Sequence, residues 1–361
     1  MEHIEDLMFK EGHTGAVFAH DILLEVAWFC ERGYNKNVEL SVKFDGAPAV
    51  FAGLDPQDGK WFVAKKSIFN KVPIVYKSES DIDNHKMDEI LRQKMKKLLR
   101  CCKPSPMWQR FNERGGNKSV VIHGDLLFTD SMLNLNRVHG QNMATFHPNT
   151  ILYAASIEDS RRFVDAEIGV IWHTMYEADR SLSNLKGVSD NFHGYDNMFL
   201  QEHSPHHKVF YHNPIIEQTN RNECEFVFAE LRGIRRVLSE DSFEEFNKIK
   251  GLEITKQINN MVRKGAFPLI SDLISFGCPR SIAKLFCEMV WVKRHLITML
   301  NRNAEPHWLK KYVVIEGQYV ETQHEGYVVR PVYVPKPLKL VDRQRFSFAN
   351  FSPLYMKGFN R

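Results

Sequence analysis

The chain has 361 residues, 43% of them hydrophobic and 25% charged, with a formal net charge of +4. This length and balance bury a full core with room for two units, and they exclude a disordered or low-complexity scaffold. The charge is too small for whole-molecule attraction to nucleic acid to serve as an argument, so such a role has to come from local clusters.

The opening residues, Met1-Glu2-His3-Ile4-Glu5-Asp6, are acidic where a secretory leader is basic and then apolar, and no apolar run reaches the length of a membrane span. A cytoplasmic protein without membrane contact is expected. Residues 17–30 carry Ile22, Leu23, Val26 and Trp28 at helical spacing. In the strand that follows, Val38, Leu40 and Val42 alternate, and Lys43 stands near its end, ahead of the turn pair Asp45-Gly46. Residues 49–52 and 61–64, joined by the turn Asp55-Pro56-Gln57-Asp58-Gly59, predict an antiparallel hairpin that returns Lys65 and Lys66 towards Lys43.

Residues 86–102 predict an amphipathic helix, with Met87, Ile90, Leu91, Met95, Leu98, Leu99 and Cys102 at helical spacing and Arg92, Lys94, Lys96, Lys97 and Arg100 mostly outward. Such a face either tracks a phosphate backbone or is simply solvated. Residues 120–128 read as an apolar strand delivering Asp125, and residues 150–154 as a strand carrying Tyr153. A polar, His- and Asn-rich loop is expected over roughly 185–221, then helical patterns at 226–238, 242–250, 254–264 and 281–300. His203, His206, His207 and His212 lack Cys partners and helical ligand spacing, which argues against a zinc site there. Residues 312–315 return to strand, followed by Glu325-Gly326-Tyr327-Val328-Val329-Arg330 and Leu338-Lys339-Leu340-Val341. The six cysteines show no C-x-x-C spacing, so reduced thiols are expected.

Lys43-Phe44-Asp45-Gly46, then Asp125 on an apolar strand, then Glu325-Gly326-Tyr327-Val328, then Lys339: this set resembles, in kind and order, the covalent nucleotidyltransferase superfamily of ATP-dependent DNA ligases, RNA ligases and mRNA-capping enzymes. The resemblance implies an α+β fold of ligase type, with ATP-grasp-like antiparallel sheets flanked by helices. Residues 1–175 and 312–361 would form the nucleotidyltransferase domain, and 176–311 a mostly helical insertion. It implies Lys43 as the lysine that takes AMP, with Lys339 assisting in catalysis. Asp45, Gly46, Lys65, Lys66, Asp125, Tyr153, Glu325 and Lys339 would bind the nucleotide, Tyr153 by stacking on the purine. Asp125 and Glu325 would hold Mg²⁺ or Mn²⁺. The chain departs from the family pattern at Ala47-Pro48, where many relatives have an arginine, and at Val341, where a second lysine is usual. Arg343 or Lys336 would then supply the missing cation.

The residue types suit the chemistry. A lysine must be neutral to attack a phosphorus, and an ordinary lysine is neutral only about once in a few thousand at pH 7. Neighbouring cations such as Lys339, Lys65 and Lys66 favour the neutral amine and also bind phosphate. Carboxylates suit a hard divalent ion that takes oxygen ligands.

DNA ligases and capping enzymes of this superfamily usually continue past the last lysine motif into an OB-fold, for which the sequence to Arg361 leaves little room; none is expected here. RNA ligases more often use helical modules of their own. The expected function is therefore ATP-dependent RNA ligation through a lysyl-AMP intermediate, joining 5′-phosphate and 3′-hydroxyl ends, with RNA ends rather than nicked DNA as the partner. Such compact ligases are common in bacteriophages, which would place the protein in a host cytoplasm. Two other readings stay open: a DNA ligase clamped by a partner, and a degenerate nucleotide- or nucleic-acid-binding protein with no covalent step. Arg232, Arg235 and Arg236 form a second basic cluster, serving either a nucleic-acid strand or ion pairs with Glu240, Glu244 or Glu245.

Overall fold

The computed structural model describes residues 2–104, 118–187, 203–204, 207–211, 215–238, 243–303, 308–334 and 337–358. They form a mixed α+β protein with several sheets. In chain order the strands are β1 (Glu2–His3), β2 (Val38–Lys43), β3 (Ala49–Leu54), β4 (Trp61–Ala64), β5 (Val75–Tyr76), β6 (Lys118–Thr129), β7 (Asn134–Val138), β8 (Gln141–Phe146), β9 (Ile151–Ser156), β10 (Ile168–Asp179), β11 (Lys186–Gly187), β12 (His203–Ser204), β13 (His207–Tyr211), β14 (Ile215–Ile216), β15 (Leu309–Ile315), β16 (Gln318–Glu321), β17 (Gly326–Pro331) and β18 (Leu338–Val341). The helices are α1 (Leu7–Lys10), α2 (Gly12–Arg32), α3 (Glu79–Asp83), α4 (Glu89–Cys101), α5 (Glu225–Val237), α6 (Phe243–Asn247), α7 (Ile254–Arg263), α8 (Ile270–Ser275), α9 (Arg280–Asn303) and α10 (Arg343–Phe351).

Two compact units share the chain. The first is Met1–Lys43, Ile215–Pro306 and Gln323–Tyr355; the second is Phe44–Pro214, His307–Thr322 and Met356–Arg361. This division differs from the expected helical insertion at 176–311. The reason lies in α9, whose buried stripe of Ile282, Leu285, Phe286, Met289, Val292, Leu296 and Leu300 packs against α2 and β18. The helices from α5 to α9 thus fall in the same unit as the strand that carries Lys43, and residues 176–214 and 307–311 of the expected insertion join the second unit.

In the first unit, a five-stranded sheet runs β1-β18-β17-β2-β14, with β1 parallel to β18 and the other pairs antiparallel. The helix α2 buries Ala16, Ala19, Ile22, Leu23, Val26, Ala27 and Cys30 at three- and four-residue spacing, and it stops at Gly33, whose φ of 84° only glycine adopts without strain. The strand β2 is buried from Val38 to Val42, more fully than its alternation predicts. Glu39 tolerates this because Arg330, its partner in the register, donates to it at 2.6 Å.

In the second unit, one sheet runs β12-β13-β10-β6-β3-β4-β5, with β11 added on β10, and another runs β16-β15-β9-β8-β7. The expected hairpin is present as β3 and β4, and the strands expected around Asp125 and Tyr153 are β6 and β9. One face of the larger sheet packs Val50, Val120, Ile122, Trp172 and Met175 against α4 residues such as Met95, Leu98 and Leu99. Three of the basic side chains of α4 are occupied within the unit: Lys96 with Asp83 at 2.7 Å, Lys97 with Asp130 at 2.7 Å, and Arg100 with Glu79 at 2.6 Å. That row is a paired surface rather than an open phosphate track.

The described cysteines are all free thiols, mostly buried. No described helix is long and apolar enough to cross a membrane. His206, His212 and Lys336 lie outside the described residues.

Candidate active site

Lys43 ends β2 directly opposite Gly326, the first residue of β17, so the residue before that strand, Glu325, meets the lysine. Lys43 Nζ donates to Glu325 Oε2, in an ion pair with both side chains mostly buried. On the far side of β17, Val328 pairs with Lys339 of β18, and Lys339 pairs in turn with His3 of β1. The order of motifs along the chain becomes, in this unit, three neighbouring strands carrying Lys43, Glu325 and Lys339. His3 registers their charge. Burial holds its imidazole well below the usual range, and the cations Arg343, Lys293, Lys339 and Lys43 push it further down. Gly326 has φ of 142°, and a side chain there would strike the Leu340 carbonyl. The conformation that brings Glu325 to Lys43 therefore requires glycine.

Arg343, expected as a substitute cation, is elsewhere engaged. Its guanidinium grips Asp6 through two hydrogen bonds, one of 2.9 Å, and the pair is almost wholly buried. Beside it, Lys293 Nζ donates to Glu5 at 2.5 Å in a second buried pair.

In the second unit, the residues that complete the Lys43 motif act on the protein itself. The Asp45 carboxylate accepts from Asn149 Nδ2 at 2.7 Å and from the backbone N–H groups of Thr150 at 2.7 Å and Ile151 at 2.8 Å. The Asp45 N–H donates to Tyr153 Oη at 2.8 Å. The buried aspartate thus fastens the motif turn to the start of β9, a structural task in place of the expected nucleotide contact. Tyr153 also departs from expectation. Its ring is fully buried and stacks with Phe44 and Phe146, at centroid distances of 5.4 Å and 5.2 Å, so no face is accessible to a purine. Gly46 lies against the Cβ of Asp125, which fixes its identity through packing. Nearby, burial pushes the Lys357 ammonium below its usual range, opposed by Asp45, and Lys357 donates to Thr150 Oγ1 at 2.8 Å.

Asp125 itself belongs to a polar group on one face of the larger sheet. His123 and Asp125 are two residues apart on β6, so both leave the face opposite to Val120 and Ile122. On β10 the register pairs Trp172 with Gly124 and Thr174 with His123, leaving His173 as the extra residue of a bulge. His173 Nε2 lies 3.4 Å from Asp125 Oδ2, and its Nδ1 lies 2.9 Å from Thr174 Oγ1. One ligand atom each from His123, Asp125 and His173 fall within 4.8 Å of one another. Phe51 stacks flat on the His123 ring at 4.2 Å. Burial, His173 and Lys66 lower the His123 imidazole to about 3, against the pull of Asp125.

Ala49 pairs with Asp125 in the sheet and, with Pro48, Lys65, Lys66 and Ser67, lines an open recess of about 430 Å³. Both expected lysines of the hairpin therefore face one recess at the edge of the Asp125 group. A larger cavity of about 730 Å³, lined in part by Lys94, Lys97, Arg100, Asp130 and His147, contains none of the expected site residues. Two of its cations, Lys97 and Arg100, are already paired along α4, so volume alone does not make it the better candidate.

The sequence reading passed over His123, His173 and His3. A signal existed for His123, because its two-residue spacing from Asp125 in an apolar strand puts both on one face. Nothing local marked His173, whose direction depends on a bulge formed with a distant strand.

One family profile matches residues 1–276 and 279–354; that family is described as one of unknown function, DUF6267. No curated protein and no solved structure gives a match.

Proposed function

We propose, for a chain that belongs to the DUF6267 family and takes no activity from that membership, that it is an ATP-dependent nucleotidyltransferase of ligase-type fold whose nucleophile is Lys43. RNA ends with a 5′-phosphate are the proposed acceptor. The observation that carries this reading is the ion pair of Lys43 with Glu325 on adjacent strands, with Lys339 one strand further.

In the proposed first step, Lys43 Nζ attacks the α-phosphorus of ATP, a nitrogen–phosphorus bond forms, and the bond from that phosphorus to the pyrophosphate oxygen breaks. The lysine must shed a proton beforehand, and Glu325 is within hydrogen-bond reach to take it. Lys339 adds positive charge beside the same strands, favouring the neutral amine and the anionic substrate. Lys65 and Lys66, at their recess, suit phosphate oxygens. A divalent ion would neutralise charge on the triphosphate, and Glu325 is the carboxylate beside Lys43 that would help to hold it. AMP then passes from Lys43 to a 5′-phosphate, and a 3′-hydroxyl displaces it to seal the strand.

A second reading, nucleotide binding without covalent transfer, is favoured by the same contact. An ammonium held by a carboxylate is not a nucleophile, and a protein that only binds nucleotide would keep that pair intact. The test is incubation with α-labelled ATP and Mg²⁺ or Mn²⁺, followed by intact-mass measurement and peptide mapping. One AMP on Lys43 supports transfer; nucleotide bound reversibly, with no covalent label, supports the second reading.

A further inference from the structure

The face of the larger sheet that carries His123, Asp125 and His173 holds an unusual deficit. Both ring nitrogens of His123 are buried, and among the described residues neither has a hydrogen-bond partner. Leaving a buried polar atom unsatisfied is costly, and such atoms in a folded protein call for an explanation such as a bound ion. Stacking on Phe51 fixes the ring plane without satisfying either nitrogen. The carboxylate of Asp125 and the imidazole of His173 stand beside it, with one ligand atom of each residue inside the 4.8 Å cluster.

From this geometry we infer that His123, Asp125 and His173 bind one divalent first-row transition-metal ion, of the Mn²⁺ to Zn²⁺ series, in preference to Mg²⁺. Two imidazole nitrogens and one carboxylate oxygen suit that series, whereas Mg²⁺ favours oxygen ligands and retains its water. Three protein ligands also leave coordination positions for water or substrate.

Two further features serve this role. Metal-binding histidines usually engage their second nitrogen with a neighbouring oxygen, which fixes the ring and the tautomer. His173 does this through Nδ1 and Thr174 Oγ1, leaving Nε2, the atom facing Asp125, as the ligand. The bulge at His173 is the second. In an unbroken alternation His173 and Thr174 would leave opposite faces, but the register keeps Thr174 opposite His123 and adds His173 between it and Trp172. Both members of the Nδ1–Oγ1 contact can then stand by the Asp125 group. An open recess adjoins it: Ala49, paired with Asp125, also lines the recess with Lys65 and Lys66.

The inference stands on these three side chains and needs neither ATP nor ligation, so it can fail while the nucleotidyltransferase reading holds, and the reverse. The full chain, stripped with a chelator and then dialysed against Zn²⁺ or Co²⁺, is assayed by elemental analysis and by Co²⁺ visible absorption. One equivalent should remain, with a Co²⁺ spectrum distinct from the aqueous ion, and a thousandfold excess of Mg²⁺ should not displace it. His173→Asn and Asp125→Asn should each weaken Zn²⁺ binding by roughly a hundredfold or more. If a variant does not fold, the wild-type chain still decides the matter: bound Zn²⁺ should protect His123 and His173 from diethyl pyrocarbonate, as read by peptide mass. Less than a stoichiometric ion, equal retention by folded variants, displacement by Mg²⁺, or protection mapped to other histidines would each overturn the assignment.

Discussion

Gly46 and Asp125 touch so closely that a Cβ added to the glycine would stand 2.6 Å from the Cβ of the aspartate. The motif glycine is thus held to its identity by a neighbouring strand as well as by any ligand. Gly46→Ala should force β6 to give way and destabilise the fold by about 1–3 kcal/mol, the usual cost of overpacking. Urea unfolding measures this directly, and a variant as stable as the wild type would show that the strand relaxes freely.

Loss of the nucleophile and loss of its partner should separate. Lys43→Ala should take up no AMP in the presence of ATP and a divalent ion. Glu325→Gln should still be labelled, about ten- to a thousandfold more slowly, because its carboxylate serves proton transfer and charge stabilisation in the step. Rapid-quench labelling followed by intact mass distinguishes the two; labelled Lys43→Ala protein would remove Lys43 from the mechanism.

The recess lysines should affect binding more than folding. Charge-assisted hydrogen bonds contribute about 1.5–3 kcal/mol, so Lys65→Ala or Lys66→Ala should each weaken ATP affinity by roughly ten- to a hundredfold. Thermal unfolding should move little, since Lys66 is exposed and Lys65 only half-buried. Unchanged ATP affinity in a calorimetric titration would detach the recess from the nucleotide.

His3 should make stability depend on pH. Its folded imidazole is held down by burial and by Arg343, Lys293, Lys339 and Lys43, while in the unfolded chain it titrates near 6.5. Below that pH the unfolded state takes up a proton that the folded state refuses. The His3 contribution is therefore complete above about pH 6.5 and is lost as pH falls towards the folded value. Asp6 and Glu5 also face these cations, so the comparison is with His3→Gln. Between pH 7 and 5 the wild type should lose about 1–2 kcal/mol more than the variant. Parallel stability curves would assign the acid limb to carboxylates alone.

The arginines of α5 offer a test of the acceptor strand. Arg235 lies 3.8 Å from Asp21, with both side chains more than half exposed, a weak pair with an aspartate rather than with Glu244 or Glu245; Glu240 lies outside the described residues. Replacing Arg232, Arg235 and Arg236 with glutamine should leave self-adenylylation intact, weaken binding of 5′-phosphorylated RNA, and reduce its salt slope by roughly one unit or less per lost phosphate contact. Equal affinity and slope would exclude this helix from the proposed RNA surface.

Local patterns carried the reading as far as strands, helices and single motifs. The alternation before Lys43, the turn between β3 and β4 and the helical stripes after residue 225 are short-range signals, and each appears as an element. Partners were harder. Tyr153 sits in a strand as expected, yet whether its ring meets solvent or Phe44 and Phe146 depends on packing across the sheet. The helices after residue 225 were legible as helices but not as companions of α2 and β18, because an amphipathic stripe states that it needs a partner without stating which. Asp45 shows the same limit: a carboxylate beside a glycine reads as a ligand or a turn, and only the arrival of residues 149–151 makes it an anchor.

The extra residue at His173 gives β10 two reading frames. Up to Trp172 one parity faces the apolar core; from Thr174 onward the other does, which is how Trp172 and Met175, three positions apart, both reach the core beneath α4. A substitution at His173 leaves both frames in place and removes only an imidazole. Deletion of the same residue would remove the bulge and merge the frames into one plain alternation, in which Trp172 and Met175 still share the core face and Thr174 stays opposite His123. The extra residue is thus not what seats this strand on its core; what it adds is one more side chain, the His173 imidazole, beside Asp125.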